Sequence, residues 1–347
     1  MRTYRAAVVG CGSRSPEHIE AYERIDGAAV VACCAPSGKR RDPLAETYGI
    51  APYADAAEMI RSERPDIVHL VTWPDTRVEL MTLVSELGVP LCTVEKPLCA
   101  TVRDWRAIAK LAATTTTKFA VCHQFRWHPN LVRCRDAIRR RDLGEPTLVD
   151  MSAGMNVMGQ GTHTLDYGLS LVGDPRVVQV CGTASGWDED DPRHPAPLST
   201  VAHLTFDNGT RGIWTSGPIA PRCGDPQVVW KHKRVAAYAE RGRVLWEQFG
   251  RWAIGGLAVD ETARQDAPHH VAANHAAAQA GFHEAMLAWD ADDARAPGTS
   301  LARSLHESAT VFALYQSALE QRPVDLDGFD PPDGLVDALR TSLTDVA

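Results

Sequence analysis

The chain has 347 residues, 44% of them hydrophobic, with a formal net charge of −8 and an isoelectric point near 5.9. That length fits two domains, or one with a large insertion, and the apolar content excludes a disordered chain. The acidic balance excludes a basic field for nucleic acid or anionic membrane, and no apolar run approaches the roughly 18 residues of a membrane span.

Along the first third, short apolar runs that read as strands occur at 4–9, 29–34, 67–72, 91–94 and 119–122, with helix-like stretches at 16–25, 39–48, 76–88 and 102–112 between them. Such alternation predicts βαβ units and a parallel sheet covered on both faces. The link VCHQFRWHPN (Val121–Asn130) leaves the pattern, and a basic helical stretch, Leu131–Arg141, follows it. After Pro146 a helix is predicted from near Thr162, then mostly strands from Val177 to Trp246, with hairpin turns at Asp207-Asn208-Gly209 and Arg241-Gly242. Two alanine-rich helical stretches, Val271–Trp289 and Ser300–Glu320, close the chain. The expected architecture is α/β throughout. An N-terminal dinucleotide-binding domain spans residues 1–122, and a second α/β domain with a large, mostly antiparallel open sheet spans 123–347. An open sheet face needs covering, which predicts a homodimer or homotetramer.

The opening MRTYRAAVVGCG lacks a signal peptide's long apolar core, and the nine cysteines are odd in number with no CxxC pair. They read as small buried hydrophobes in a reducing cytoplasm, with no zinc site and no disulfide framework.

The turn VVGCGSRSPEH (Val8–His18) carries the first chemical signal. Gly10 permits a tight turn and Gly12 lets backbone approach a pyrophosphate, while the third glycine of G-x-G-x-x-G is Ser15 here. An NAD site places an acid at the end of the second strand, but CCAPSGKRR (Cys33–Arg41) offers Ala35, then Ser37, Lys39 and Arg40. A missing carboxylate beside cations suits a 2′-phosphate, so NADP is favoured over NAD. The competing reading is a solvated positive helix start.

These residues, with VTWPDTRVEL, VEKPLCATVRDW, HQFRWHPN, GTHTLDYGLSLVGDP and SALEQRPVDL, resemble the glucose–fructose oxidoreductase / inositol dehydrogenase / rhizopine catabolism (Gfo/Idh/MocA) family over nearly the whole chain. The resemblance implies a Rossmann domain, an open-sheet second domain, and hydride transfer between a nicotinamide and a carbinol of a sugar, cyclitol or related polyol. It implies cofactor contacts from Ser13, Arg14, Ser15, Thr72, Trp73, Glu95, Lys96, Gln124 and Arg126, and a cis peptide at Lys96-Pro97. Lys96 ends a parallel strand at the edge where ligands bind, placed to hydrogen-bond a substrate oxygen.

In the helix near Thr162, Leu165, Leu169 and Val172 share one face, and His163, Asp166, Tyr167 and Ser170 the opposite one. The helix dipole disfavours a charged histidine in the first turn, so His163 is the expected acid/base. Asp166 is expected to orient it or bind a hydroxyl, and Gln160, Tyr167 and Arg126 to meet substrate. The family's usual Asp-x-x-x-His pattern has Gly159 in the acid's place here. His269, His270, His275 and His283 lie in or just before the alanine-rich helix without a metal-ligand spacing. The expectation is an NADP-dependent oxidoreductase. A cofactor-retaining epimerase or lyase and a non-catalytic cofactor-binding regulator are the alternatives.

Overall fold

The computed structural model describes residues 3–223, 228–256 and 259–345. Two compact units interleave along the chain. The first comprises Met1–Cys99, Asp104–Trp127 and His275–Ser304; the second comprises Ala100–Arg103, His128–Asn274 and Leu305–Ala347. A single division after residue 122, expected from the sequence, leaves out this return of His275–Ser304 to the first unit. The outermost residues of that division, 1–2 and 346–347, lie outside the described residues.

In the first unit, strands β1 (Tyr4–Val9), β2 (Ala28–Cys34), β3 (Ala51–Tyr53), β4 (Ile67–Leu70), β5 (Leu91–Val94) and β6 (Lys118–Val121) form one parallel sheet. Its order, β3-β2-β1-β4-β5-β6, is that of the doubly wound dinucleotide fold. Every residue of β4 and β5 is buried, which is why these strands, His69 and Thr93 apart, read as apolar runs. The helices α1 (Ser15–Glu20), α2 (Gly38–Tyr48), α3 (Ala56–Glu63), α4 (Arg77–Glu86) and α5 (Val102–Ala112) connect the strands. The pair β3 and α3 went unread in the sequence, because β3 has only three residues and one is Pro52.

The second unit begins with α6 (Pro129–Arg139), β7 (Pro146–Ala153) and α7 (Thr162–Leu171). Then follow β8 (Val177–Trp187), β9 (Pro197–Phe206), β10 (Arg211–Ser216), β11 (Lys233–Ala239), β12 (Gly242–Glu247), β13 (Arg251–Gly256) and β14 (Val259–Gln265). Helices α8 (Pro268–Ala291) and α9 (Leu301–Glu320), the two-residue β15 (Val324–Asp325) and α10 (Leu335–Thr344) complete the chain. The nine strands are ordered β14-β13-β12-β11-β7-β10-β9-β8-β15. All pairings are antiparallel except β7 with β10. The expected hairpin turns fall between β9 and β10 and between β11 and β12. The chain does not close on two helices as expected, since α10 follows them.

The covered face of this sheet carries Trp214 and Trp246, both fully buried. Trp214 Nε1 donates to Thr164 Oγ1 of α7 at 3.3 Å, and Trp246 Nε1 to His128 Nδ1 at 3.2 Å. The first bond fixes α7 against the sheet, and the second fixes the start of α6. The other face leaves Val178, Val201 and Ile213 exposed. Among the described residues, no helix is long and apolar enough to cross a membrane.

Candidate active site

Each unit supplies its own set of chemical groups. In the first, β1 ends at the glycine-rich turn. Gly10 has φ of +102°, and a Cβ there would fall 2.2 Å from the Val71 carbonyl oxygen, so only glycine fits. At Gly12 a Cβ would meet nothing within 4 Å, an open cradle of the kind a pyrophosphate approaches. Ser15, in the third-glycine position, is buried and its Oγ donates to the Gly10 carbonyl at 2.8 Å, tying the turn to the start of α1. Ser13 is exposed, whereas Arg14 pairs with Glu17 and lies 3.7 Å from Glu95.

At the end of β2 the Ala35 carbonyl accepts from Arg41 Nη1 at 3.2 Å, and Ser37, Lys39 and Arg40 are exposed. Beyond β4, the fully buried Arg77 donates to the carbonyls of Leu70 (3.3 Å) and Thr72 (3.0 Å). Burial pulls its guanidinium down to about 10. This arginine braces the loop carrying Thr72 and Trp73, and the Trp73 ring is 45% exposed. Gln124 and Arg126 are both buried in a single 3-10 turn after β6. The Arg126 guanidinium fills the space beside Gly298, where a Cβ would be 2.1 Å from Nη2.

Past β5 come Glu95, the half-buried Lys96 and a cis peptide to Pro97. Behind Glu95 lies a group of residues that sequence reasoning did not bring together. His18 Nε2 is 3.0 Å from Glu95 Oε1, and its Nδ1 is 3.2 Å from His283 Nε2. Gln279 Nε2 lies 3.0 Å from the same His283 nitrogen. His69 is bonded to Thr93 Oγ1 at 2.6 Å and to Tyr22 OH at 2.8 Å. Burial drives Glu95 toward its neutral form. The His18 hydrogen bond and the charges of Arg14, His18 and Lys96 outweigh it and hold the carboxyl well below the usual carboxylate range. Burial, then neighbouring imidazoles, keep His69 and His283 neutral well below the usual histidine range. His123 is pulled down to about 3, first by burial and then by Lys96 and Arg126.

His18, His69 and His283 bring one nitrogen each within 4.8 Å of one another, a metal-like grouping. The His69 and His283 rings, however, stack 4.3 Å apart at 27°. Lone pairs in nearly parallel planes do not converge on one ion, and five of the trio's six nitrogens carry hydrogen bonds, the exception being His283 Nδ1. The cluster reads as a buried network that positions Glu95. The only sequence signal for it was the histidine spacing on α8.

In the second unit, residues 157–161 form one turn of π-helix leading into α7. Every residue of α7 is buried, so the face carrying His163, Asp166, Tyr167 and Ser170 is not a solvent face. The hydrogen-bond partner of His163 Nδ1 is the Tyr167 hydroxyl at 3.0 Å, with the rings stacked. Tyr167 in turn packs edge-on against Trp246. Asp166 is fully buried and Gln160 half-buried. Asn156, Asp191 and His194, close to this turn, were missed: the loop run WDEDDPRH (Trp187–His194) carries no local signal beyond its charge.

A glycine-rich turn on a parallel six-stranded sheet, joined to a nine-stranded mostly antiparallel sheet, defines the class of two-unit proteins built on an NAD(P)-binding Rossmann fold. Residues 4–123 match the model of the Gfo/Idh/MocA oxidoreductase family with the NAD-binding Rossmann fold, about a third of the chain. It is similar to a D-apiose dehydrogenase of Paraburkholderia graminis, 28% identical over 50% of this chain and 51% of the relative. It is also similar to an inositol 2-dehydrogenase of Paenarthrobacter aurescens, 27% identical over 49% and 56%. The alignments thus span about half the length of these curated relatives. A solved oxidoreductase from Agrobacterium radiobacter, in complex with NAD+, L-tartaric acid and magnesium, shares the fold with a TM-score of 0.79. It is 20% identical, covering 94% of this chain and 99% of that one.

Proposed function

We propose that the protein is an NAD(P)-dependent oxidoreductase of a polyol-like substrate, a sugar, cyclitol or related carbinol. The observation that carries this reading is Lys96, presented past the carboxyl end of β5 in the unit that holds the open Gly12 turn. The turn from Gly10 to Ser15, the Thr72–Trp73 loop and Lys96 would hold the dinucleotide, which when bound supplies the hydride acceptor. Lys96 donates a hydrogen bond to the substrate oxygen and stabilises the negative charge that grows on it. His163, its Nδ1 engaged by Tyr167, exchanges the hydroxyl proton through Nε2. In the reductive direction the same nitrogen returns it. The named activities of the two dehydrogenase relatives support the substrate class.

Two finer points belong to the same proposal. Ala35 in the acid's place, with Lys39 and Arg40 exposed beside it, favours NADP. The apolar residues on the open sheet face favour a second copy of the chain as its cover; a monomer by light scattering overturns that part.

The test is turnover followed at 340 nm with sugars, cyclitols and their keto forms, using each cofactor. Lys96→Met is expected to lower kcat by about 10²–10³-fold, and His163→Asn by about 10²–10⁴-fold, with dinucleotide affinity retained. Near-wild-type rates sink these roles. Arg40→Ala should shift preference toward NAD, and an unchanged ratio rules out the phosphate assignment.

A further inference from the structure

Gly159 stands four residues before His163, and helical residues so spaced share a face. A Cβ at Gly159 would lie 3.1 Å from Asn156 Oδ1 and 3.6 Å from Asp191 Oδ2. The space beside this glycine is therefore met by a carboxylate from another element, the loop joining β8 and β9. That loop is held in place. Asp188 N donates to the Ala196 carbonyl at 3.1 Å, closing it, and His194 N donates to the Asp191 carbonyl at 3.1 Å. His194 Nδ1 pairs with Asp191 Oδ2 at 2.8 Å. The buried Asn156 joins loop to turn: its Nδ2 donates to Asp188 Oδ2 (2.7 Å) and the His194 carbonyl (3.3 Å), and its Oδ1 accepts from Gly159 N (2.6 Å).

A second observation concerns the turn itself. Gln160 Oε1, Thr162 Oγ1 and Ser216 Oγ are buried with no hydrogen-bond partner among the described residues. Ser216 is fully buried, and its Oγ would sit 2.6 Å from a Cβ at Gly161. Buried polar atoms are nearly always satisfied, so three orphans around one turn point to a ligand rich in hydroxyls.

We infer that Asp191 is a substrate-binding carboxylate of the His163 site, delivered by the β8–β9 loop and steadied by His194. Its side chain keeps 23% exposure, enough to reach a ligand. It accepts a hydrogen bond from a hydroxyl neighbouring the carbinol that His163 serves, and so selects vicinal diols. This rests on the proposed oxidoreductase reading.

The experiment uses D-apiose, myo-inositol and D-glucose with NAD+ and NADP+, on the wild type, Asp191→Ala, Asp191→Asn, Gly159→Asp and the double variant Gly159→Asp/Asp191→Ala. Losing a hydrogen bond to a charged group should lower kcat/KM by about 10–100-fold in both Asp191 variants, mainly through KM. Gly159→Asp alone should also lose efficiency, because two carboxylates then crowd one space. The double variant should recover most of the loss, since it restores one carboxylate on that face. A structural role for Asp191 predicts no such rescue. Wild-type efficiency in the Asp191 variants, or a double variant no better than Asp191→Ala, overturns the inference. Thermal stabilisation by each polyol in the presence of dinucleotide is read in parallel. Stabilisation of the wild type without turnover, lost in Asp191→Ala, overturns the oxidoreductase reading and keeps the carboxylate. Neither turnover nor stabilisation overturns both.

Discussion

At Gly10 an added Cβ would strike the Val71 carbonyl oxygen, whereas two residues later, at Gly12, it would meet nothing within 4 Å. The same substitution at the two positions therefore separates folding from binding. Gly10→Ala combines a steric clash with a positive φ, and should cost more than about 1 kcal/mol of stability. Gly12→Ala should leave the thermal midpoint unchanged while weakening dinucleotide binding about tenfold or more, because the new methyl occupies the approach to the pyrophosphate. Thermal melts beside a fluorescence titration with the reduced dinucleotide check both. An unaltered affinity in Gly12→Ala means that the dinucleotide does not approach this turn. A glycine at 159 has a different origin from either: its missing side chain leaves a place that Asp191 approaches from the β8–β9 loop.

Among the elements, α8 joins two roles that its sequence shows unequally. Its apolar content and length were legible, as were β1 and β5, whose observed bounds Tyr4–Val9 and Leu91–Val94 are those read from the sequence. The glycine turn, Lys96 and the α7 histidine were legible too, because each is encoded within a few residues. The histidine network and the Asp191 contact were not. They join residues 265 positions apart in one case (His18 and His283), and in the other a loop with no periodicity. The polar face of α7 is buried rather than turned to water.

The buried histidines of the first unit have a consequence for acid stability. His69, His123 and His283 stay neutral in the fold, while in the unfolded chain each takes a proton near pH 6.5. Below that pH the unfolded state binds more protons, so stability falls as pH falls, by up to about 1.4 kcal/mol per pH unit for each group. Above pH 7 the contribution is constant. Glu95 adds loss of the same sign once pH drops into the ordinary carboxylate range. Urea midpoints measured from pH 7 to pH 5 should decline, with a shallower decline in His283→Gln. A flat profile contradicts the neutral buried histidines.

At the scale of the whole molecule, the first unit is not a contiguous piece of chain. Its core includes Ala280, Phe282 and Met286 packed with Ala6, Tyr22, Ile67 and Ala120. A fragment ending at Trp127 lacks that part of the core along with His283. It should show no cooperative melt by circular dichroism, although it holds all six strands of the parallel sheet. Addition of a peptide covering residues 268–304 should restore structure. A stably folded 1–127 fragment contradicts the interleaved division.

The interleaving also delays the completion of the first unit on the ribosome. Strands β7 to β14 lie within Pro146–Gln265 and so emerge together, while the parallel sheet waits for a helix translated some 150 residues after its last strand. At 5–20 residues per second that wait lasts roughly 8–30 seconds. The first unit thus leaves the exit tunnel first but is completed only by His275–Ser304, and the second unit waits in turn for Leu305–Ala347, so the unfinished parallel sheet is left for nascent-chain chaperones to shelter in the interval.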